Sequence, residues 1–177
     1  MTFPSFVPGE VLRAQDMNAV GLWLVKTQTI GTGVTSIPVT NAFSADYDNY
    51  RIIIENTTTN GTASHLMELT GQTTLYYNAG EFFLWGTGGS TFFNPVAASA
   101  WTLSANVANG FYTHSIIDLI NPQKATVTSG SVVSQSGNGG YNAQLLNSNT
   151  ISSTGFTISK SGNTMTGGTI RVYGYRN

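Results

Sequence analysis

The stretch NYRIIIENT, Asn49–Thr57, decides the fold class. Successive side chains of an extended chain point to opposite sides. Read as a strand, it sets Tyr50, Ile52 and Ile54 on one face and Arg51, Ile53 and Glu55 on the other. Three consecutive β-branched isoleucines suit a pleated surface. The stretch that follows, TTTNGT, reads as a hairpin-type turn.

The pattern continues in both directions. Upstream, LWLVKTQTI (Leu22–Ile30) and VTSIPVT (Val34–Thr40) read as strands, with Pro38 marking an edge or a bulge. Downstream come SHLMELT, TTLYYN, GEFFLWG, AWTLSAN, FYTHSIIDLIN, KATVTSGSVVSQ, NAQLLNS, GFTISKSG and GGTIRVYGYRN. Ten to twelve short strands at about 8–12-residue spacing predict an all-β fold, an antiparallel β-sandwich of jelly-roll-like type. SQSGNGG and WGTGGSTFFNP read as Gly-rich loops and not as domain linkers. The sandwich is expected to occupy residues 22–177, with residues 1–21 forming an arm and a short helix.

In the arm, MTFPSFVPG, Pro4 and Pro8 disfavour helix. Phe3, Phe6 and Val7 are apolar yet lie outside any folded element, so the arm either packs on its own domain or docks on a neighbouring subunit, and docking is the expectation. EVLRAQDMNAV (Glu10–Val20) is the one helical pattern, with Glu10 suited to the helix N-terminus and Gly21 to the residue past its end.

Composition narrows the function classes. The chain has 177 residues, enough for one domain with a sizeable core. Charged residues make up only 8 %, and the net charge of −1 gives no electrostatic footprint for nucleic acid or an anionic membrane. Polarity comes instead from Ser, Thr, Asn, Gln and 20 glycines. The absence of Cys removes disulfides, thiolate catalysis and zinc–thiolate sites. No apolar run approaches the ~18 residues of a membrane-spanning helix. The N-terminal stretch lacks the basic and apolar regions of a signal peptide. A surface rich in Ser, Thr, Asn and Gly is of the kind common on all-β proteins that work outside cells.

Candidate chemistry is thin. Asp46 and Asp48 in SADYDNYRIII imitate the start of a calcium loop, but Arg51 and Thr57 stand where the Gly and Glu of an EF-hand would be. They read as turn carboxylates bonded to nearby backbone N–H groups. His65 and His114 read as partly buried strand histidines. Asp118 would share the strand face of His114 but stand ~13 Å along it, too far for one ion. No G-x-S-x-G elbow occurs, and neither GNGG nor GTGG is followed by the Lys and helix of a phosphate loop. The expectation is therefore a non-enzymatic protein with no catalytic residues, metal site or cofactor.

Aromatic residues crowd into residues 76–101 beside the Gly-rich loops. Tyr76, Tyr77, Trp85 and Trp101 are candidates for stacking on a glycan, set against the alternative that they fill the core. In SIIDLI, Ile117 and Leu119 face one way while Ile116 and Ile120 share the other face with Asp118. Apolar residues on both faces predict that a second surface is covered too, by another subunit for preference.

Three segments carry a family resemblance. FVPGEVLRAQDMNAVGLWLVKTQTIGTGV, and PGEVL-x-A-x-D-M-N within it, resembles the entry segment G-x-V-L-T-A-x-x-(L/M)-N of phage tail-fibre and minor tail proteins. AFSADYDNYRIII is similar to the strand that follows in that group, and GGTIRVYGYRN to its last strand. The likeness covers about the first 55 and the last 10 residues. It implies a virion structural protein of a tailed bacteriophage, homotrimeric, serving host attachment as a tail-fibre or minor-tail subunit. Its implied partners are copies of itself, other tail or major capsid proteins, and host surface glycan. The alternative within the group is a trimeric capsid decoration (cement) protein on the phage head. A free carbohydrate-binding module and a glycan-degrading tail spike stand outside it.

Overall fold

The computed structural model describes residues 21–87, 90–92, 97–104 and 107–175. The arm with Phe3, Phe6 and Val7, and the helix expected over Glu10–Val20, lie outside the described residues.

The described chain is all-β, with antiparallel strands in two sheets, as the alternating pattern predicts. Thirteen strands follow in order: β1 (Leu22–Thr29), β2 (Ser36–Val39), β3 (Asn49–Thr59), β4 (His65–Leu69), β5 (Tyr76–Leu84), β6 (Ser90–Phe92), β7 (Trp101–Thr102), β8 (Thr113–Ile120), β9 (Thr128–Ser136), β10 (Gly139–Asn147), β11 (Phe156–Lys160), β12 (Met165–Thr166) and β13 (Thr169–Tyr175). The large sheet runs β1-β13-β3-β8-β9-β10-β5-β6, with β12 pairing the end of β3; the small sheet runs β2-β11-β4-β7. Pro38 sits on β2, the edge strand of the small sheet, where a missing N–H is tolerated.

The core lies between the sheets. Tyr50, Ile52, Ile54, Ile117, Leu119, Val132, Tyr141, Leu145, Ile170 and Val172 supply the large sheet's side, and Ile37, Val39, Met67, Leu69, Phe156 and Ile158 the small sheet's. Burying a side chain of this size is worth roughly 1.5–3 kcal/mol. Tyr50 also fastens the turn before its strand. Its hydroxyl donates to the Ser44 carbonyl at 2.8 Å and accepts from the Ser44 N–H at 2.7 Å.

Two local expectations change. TTTNGT does not close a hairpin: β3 belongs to the large sheet and β4 to the small one, so this turn carries the chain across the core. TTLYYN and GEFFLWG are one strand, not two, because Gly80 is read through. A Cβ at Gly80 would come within 2.1 Å of the Asn142 carbonyl, so glycine here allows β5 and β10 to approach closely.

Candidate functional site

Two surface features stand out, and both belong to the large sheet. The first is its outer face. Register places Ile53 opposite Ile116, and Ile116 opposite Val133, so three β-branched side chains form a row across β3, β8 and β9. Ile116 is 45 % exposed, Val133 51 % and Ile120 48 %. Leu22, Leu24 and Leu146 are exposed as well.

The charges among them are paired. Arg51 grips Asp118 with two bonds of 2.8 Å, from Nε to Oδ1 and from a terminal nitrogen to Oδ2. The Tyr175 hydroxyl donates to Asp118 Oδ1 at 2.9 Å, and its ring lies 5.8 Å below the guanidinium. Burial pushes the Asp118 carboxyl up, but the bonds from Arg51 and Tyr175 outweigh it and hold its pKa below the ordinary value. Arg171 and Glu55 form a second ion pair, each reaching across from β13 or β3. These four charges are thus satisfied within the face and surrounded by aliphatic surface, while Glu81, further along the same row beyond Asn142, has no ion-pair partner among the described residues.

The second feature lies at the β9–β10 turn, residues 137–138. Aromatic rings flank it on both sides. On the β5 side, Phe83 and Trp85 meet edge to face at 4.9 Å. The Trp85 indole N–H donates to the Ser136 carbonyl at 3.1 Å and its backbone N–H to the Asn138 carbonyl at 3.1 Å, which pins the ring beside the turn while leaving it 54 % exposed. On the β8 side, Phe111 and Tyr112 are 43 % and 59 % exposed. The loop that carries them is tied to the end of β3 by the Gly110 N–H donating to the Thr59 carbonyl at 3.0 Å. The Phe111 ring rests on Gly137, where a Cβ would collide with it at 1.9 Å. Between Phe111, Tyr112, His114, Gln135 and the turn opens a hollow of about 330 Å³.

These positions revise the sequence candidates. Tyr76 and Trp101 are fully buried and so are core residues, not a stacking surface. Their rings meet edge to face at 5.0 Å. The Tyr76 hydroxyl joins the Leu69 N–H to the Gln72 carbonyl, and the Trp101 indole donates to the Leu146 carbonyl. Tyr77 is half-buried and lines a shallow hollow of about 180 Å³ with Leu146 and Gln144. It stands eight residues before Trp85, roughly 26 Å away along an extended chain, so the two do not form one platform. Phe111, Tyr112 and Gln135 are not among the sequence candidates, and His114 is there only as a strand histidine. The available signal is NGFYTH, two adjacent rings between a glycine and the strand that begins at Thr113.

The carboxylates and histidines also settle into place. Asp46 accepts from the Ser44 hydroxyl at 3.0 Å, and Asp48 pairs with Lys124 at 2.8 Å. Both shape the corner as expected, but through a hydroxyl and an ammonium and not through backbone N–H groups. Among the described residues no cluster of three or more His, Asp or Glu side chains could hold a metal ion. His65 is buried, with Ser104 Oγ 3.4 Å from its Nδ1. Burial, reinforced by the nearby Lys160, pushes its pKa down to about 3. His114, expected to be partly buried, is exposed at the hollow. Lys160 points inward from the small sheet and donates to the Ala63 carbonyl at 3.0 Å; burial brings its pKa down to about 7. Compared with protein-family models, curated proteins and solved structures, the chain gives no match.

Proposed function

We propose that the chain is a non-enzymatic structural protein of a tailed-phage virion, of tail-fibre or minor-tail type, that assembles with copies of itself and contacts the host surface. The observation that carries this reading is the outer face of the large sheet. The row Ile53, Ile116 and Val133 offers aliphatic surface whose neighbouring charges are already paired, and such a surface favours burial against another subunit. A chain without disulfides gains stability from that assembly. The resemblance of FVPGEVLRAQDMN, AFSADYDNYRIII and GGTIRVYGYRN to phage tail proteins supplies the setting, and a homotrimer is the assembly it favours. The exposed rings around the β9–β10 turn supply a surface for adhesion.

The test is the location and copy number of the protein in purified particles, read by gold labelling and quantitative mass spectrometry. A low copy number confined to the tail is the expected result. Hundreds of copies over the head would replace adhesion by capsid decoration. Absence from particles would overturn the virion reading altogether.

A further inference from the structure

We propose that the hollow beside the β9–β10 turn is a binding site for a neutral sugar unit, with Tyr112 and Phe111 as the stacking surface and Gln135 and His114 as the hydrogen-bonding groups. This rests on the adhesion reading above for its biological setting. The chemistry is read from the lining. Tyr112 and Phe111 expose ring surface that the core does not use. An exposed aromatic ring offers its face to the C–H groups of a pyranose, and its amphipathic character suits a ligand that is apolar on one side and hydroxylated on the other.

The polar groups match. Gln135 and His114 are a cross-strand pair of β9 and β8, so their side chains emerge side by side on the same face. Both are exposed, and neither side chain has a hydrogen-bond partner among the described residues. A side-chain amide both donates and accepts, as does a neutral imidazole, and a sugar hydroxyl needs both. Ser136 does not compete: its hydroxyl is committed to Asn138 Oδ1 at 2.7 Å and its carbonyl to the Trp85 indole. Among the described residues no Asp, Glu, Lys or Arg lines the hollow. That disfavours phosphates, carboxylates and cations, whose recognition calls for opposite charge or charge-assisted bonds.

Size and stiffness agree. A volume of about 330 Å³ lies at the small end of ligand cavities, ~300–1,000 Å³, and suits one sugar unit or a disaccharide. The walls are held before any ligand arrives. Phe111 is seated on Gly137, its loop is bonded to β3, and the turn is braced by Ser136 and Trp85. Preformed walls lower the ordering cost of binding.

The experiment is saturation-transfer NMR on the full chain. The probes are glucose, galactose, mannose, N-acetylglucosamine, maltose and lactose, with inorganic phosphate as the charged control. At least one sugar should receive transfer and phosphate should not bind. Tyr112→Ala and Gln135→Ala should each weaken the bound sugar about tenfold or more. Both residues are exposed, so both variants should keep the native circular dichroism spectrum. Tyr77→Ala, in the separate hollow, should bind as the native chain does. No transfer to any of the six sugars would overturn the site, as would binding that survives both substitutions. Particle labelling keeps the two claims apart: a virion protein that binds none of the sugars loses the site and keeps its place in the particle, whereas a sugar binder absent from particles does the reverse.

Discussion

The two sheets treat charge in opposite ways. The large sheet turns its arginines outward, pairs Arg51 with Asp118 and Arg171 with Glu55, and surrounds them with isoleucine, valine and leucine. Its inner side is aliphatic and aromatic, giving way to Thr and Ser hydroxyls at one end. The small sheet has Ser36, Pro38, Glu68, Thr157 and Ser159 outside, the usual polar exterior, yet it sends His65 and Lys160 inward. His65 and Lys160 are cross-strand partners, so two basic groups share one buried site. One sheet has a surface suited to burial, and the other has a core position suited to water. The difference teaches that alternation alone does not say which side of a strand faces solvent in the assembled molecule.

The sharpest probe of this contrast is a pair of neighbours on β8. Ile117→Ala should cost about 2–5 kcal/mol in urea unfolding, because its side chain is fully buried between the sheets. Ile116→Ala, one residue away and facing out, should cost no more than about 1 kcal/mol in dilute protein. The outward position should matter only when copies meet. Ile116→Lys combined with Val133→Glu should abolish self-association in sedimentation velocity, while Thr157→Lys with Ser159→Glu on the small sheet should leave it unchanged. Equal costs for Ile116 and Ile117 would break the comparison at its base.

A smaller effect of opposite sign is expected at Lys160. Lys160→Met should stabilise the protein at pH 7 by about 1–3 kcal/mol, since it removes a buried cation while the Ala63 carbonyl keeps its bond from the Val107 N–H. The native chain carries the matching pH signature. The Lys160 pKa is about 7 when folded, against an ordinary 10.5, so between those values the unfolded chain binds the extra proton. Stability should therefore rise with pH across that window, by up to about 1.4 kcal/mol per unit. The Met variant should be flatter there. His65, depressed to about 3 from 6.5, should make stability fall as pH drops from 6.5 towards 3. Urea midpoints measured against pH check both, and a Met variant less stable than the native chain would show that the lysine supports the core.

The smallest effect belongs to the outer ion pair. Arg51→Ala should cost about 1 kcal/mol or less, because both side chains are 36 % exposed and water screens them. The cost should shrink in high salt. Because the Asp118 pKa lies below its ordinary 3.8, the pair's contribution is present above that value and fades as pH falls through the folded pKa.

Much of the fold is legible from strand periodicity. NYRIIIENT divides correctly into Tyr50, Ile52 and Ile54 inside and Arg51 and Glu55 outside, whereas SIIDLI divides into the two faces without saying which is inner, because Ile116 and Ile120 match Ile117 and Leu119 in bulk. Pro38 correctly marks an edge. What periodicity does not carry is partner choice. TTTNGT has hairpin chemistry, but the strands it joins find better neighbours elsewhere, so the turn becomes a crossing. The aromatic segment is ambiguous for a related reason. Tyr76 and Tyr77 are adjacent and chemically identical, and only the position of Trp101 on the facing sheet sends one inward. Alternation in FTISK places Lys160 on the face of Phe156 and Ile158, but a lysine at the end of a strand reads by its charge as solvated.

The pairing of β1 with β13 sets the order in which the molecule can be built. β1 has β13 as its sheet partner, and β13 in turn bonds to β3, so the two strands at opposite ends of the described chain meet at one edge of the large sheet. During synthesis β1 must therefore wait, unpaired, until nearly all the rest has emerged. Contacts this distant in sequence make for slow folding and a long exposure of strand edges. Val25, which packs against the core in the finished fold, would spend that interval in water, which gives the nascent chain a window in which aggregation competes with assembly.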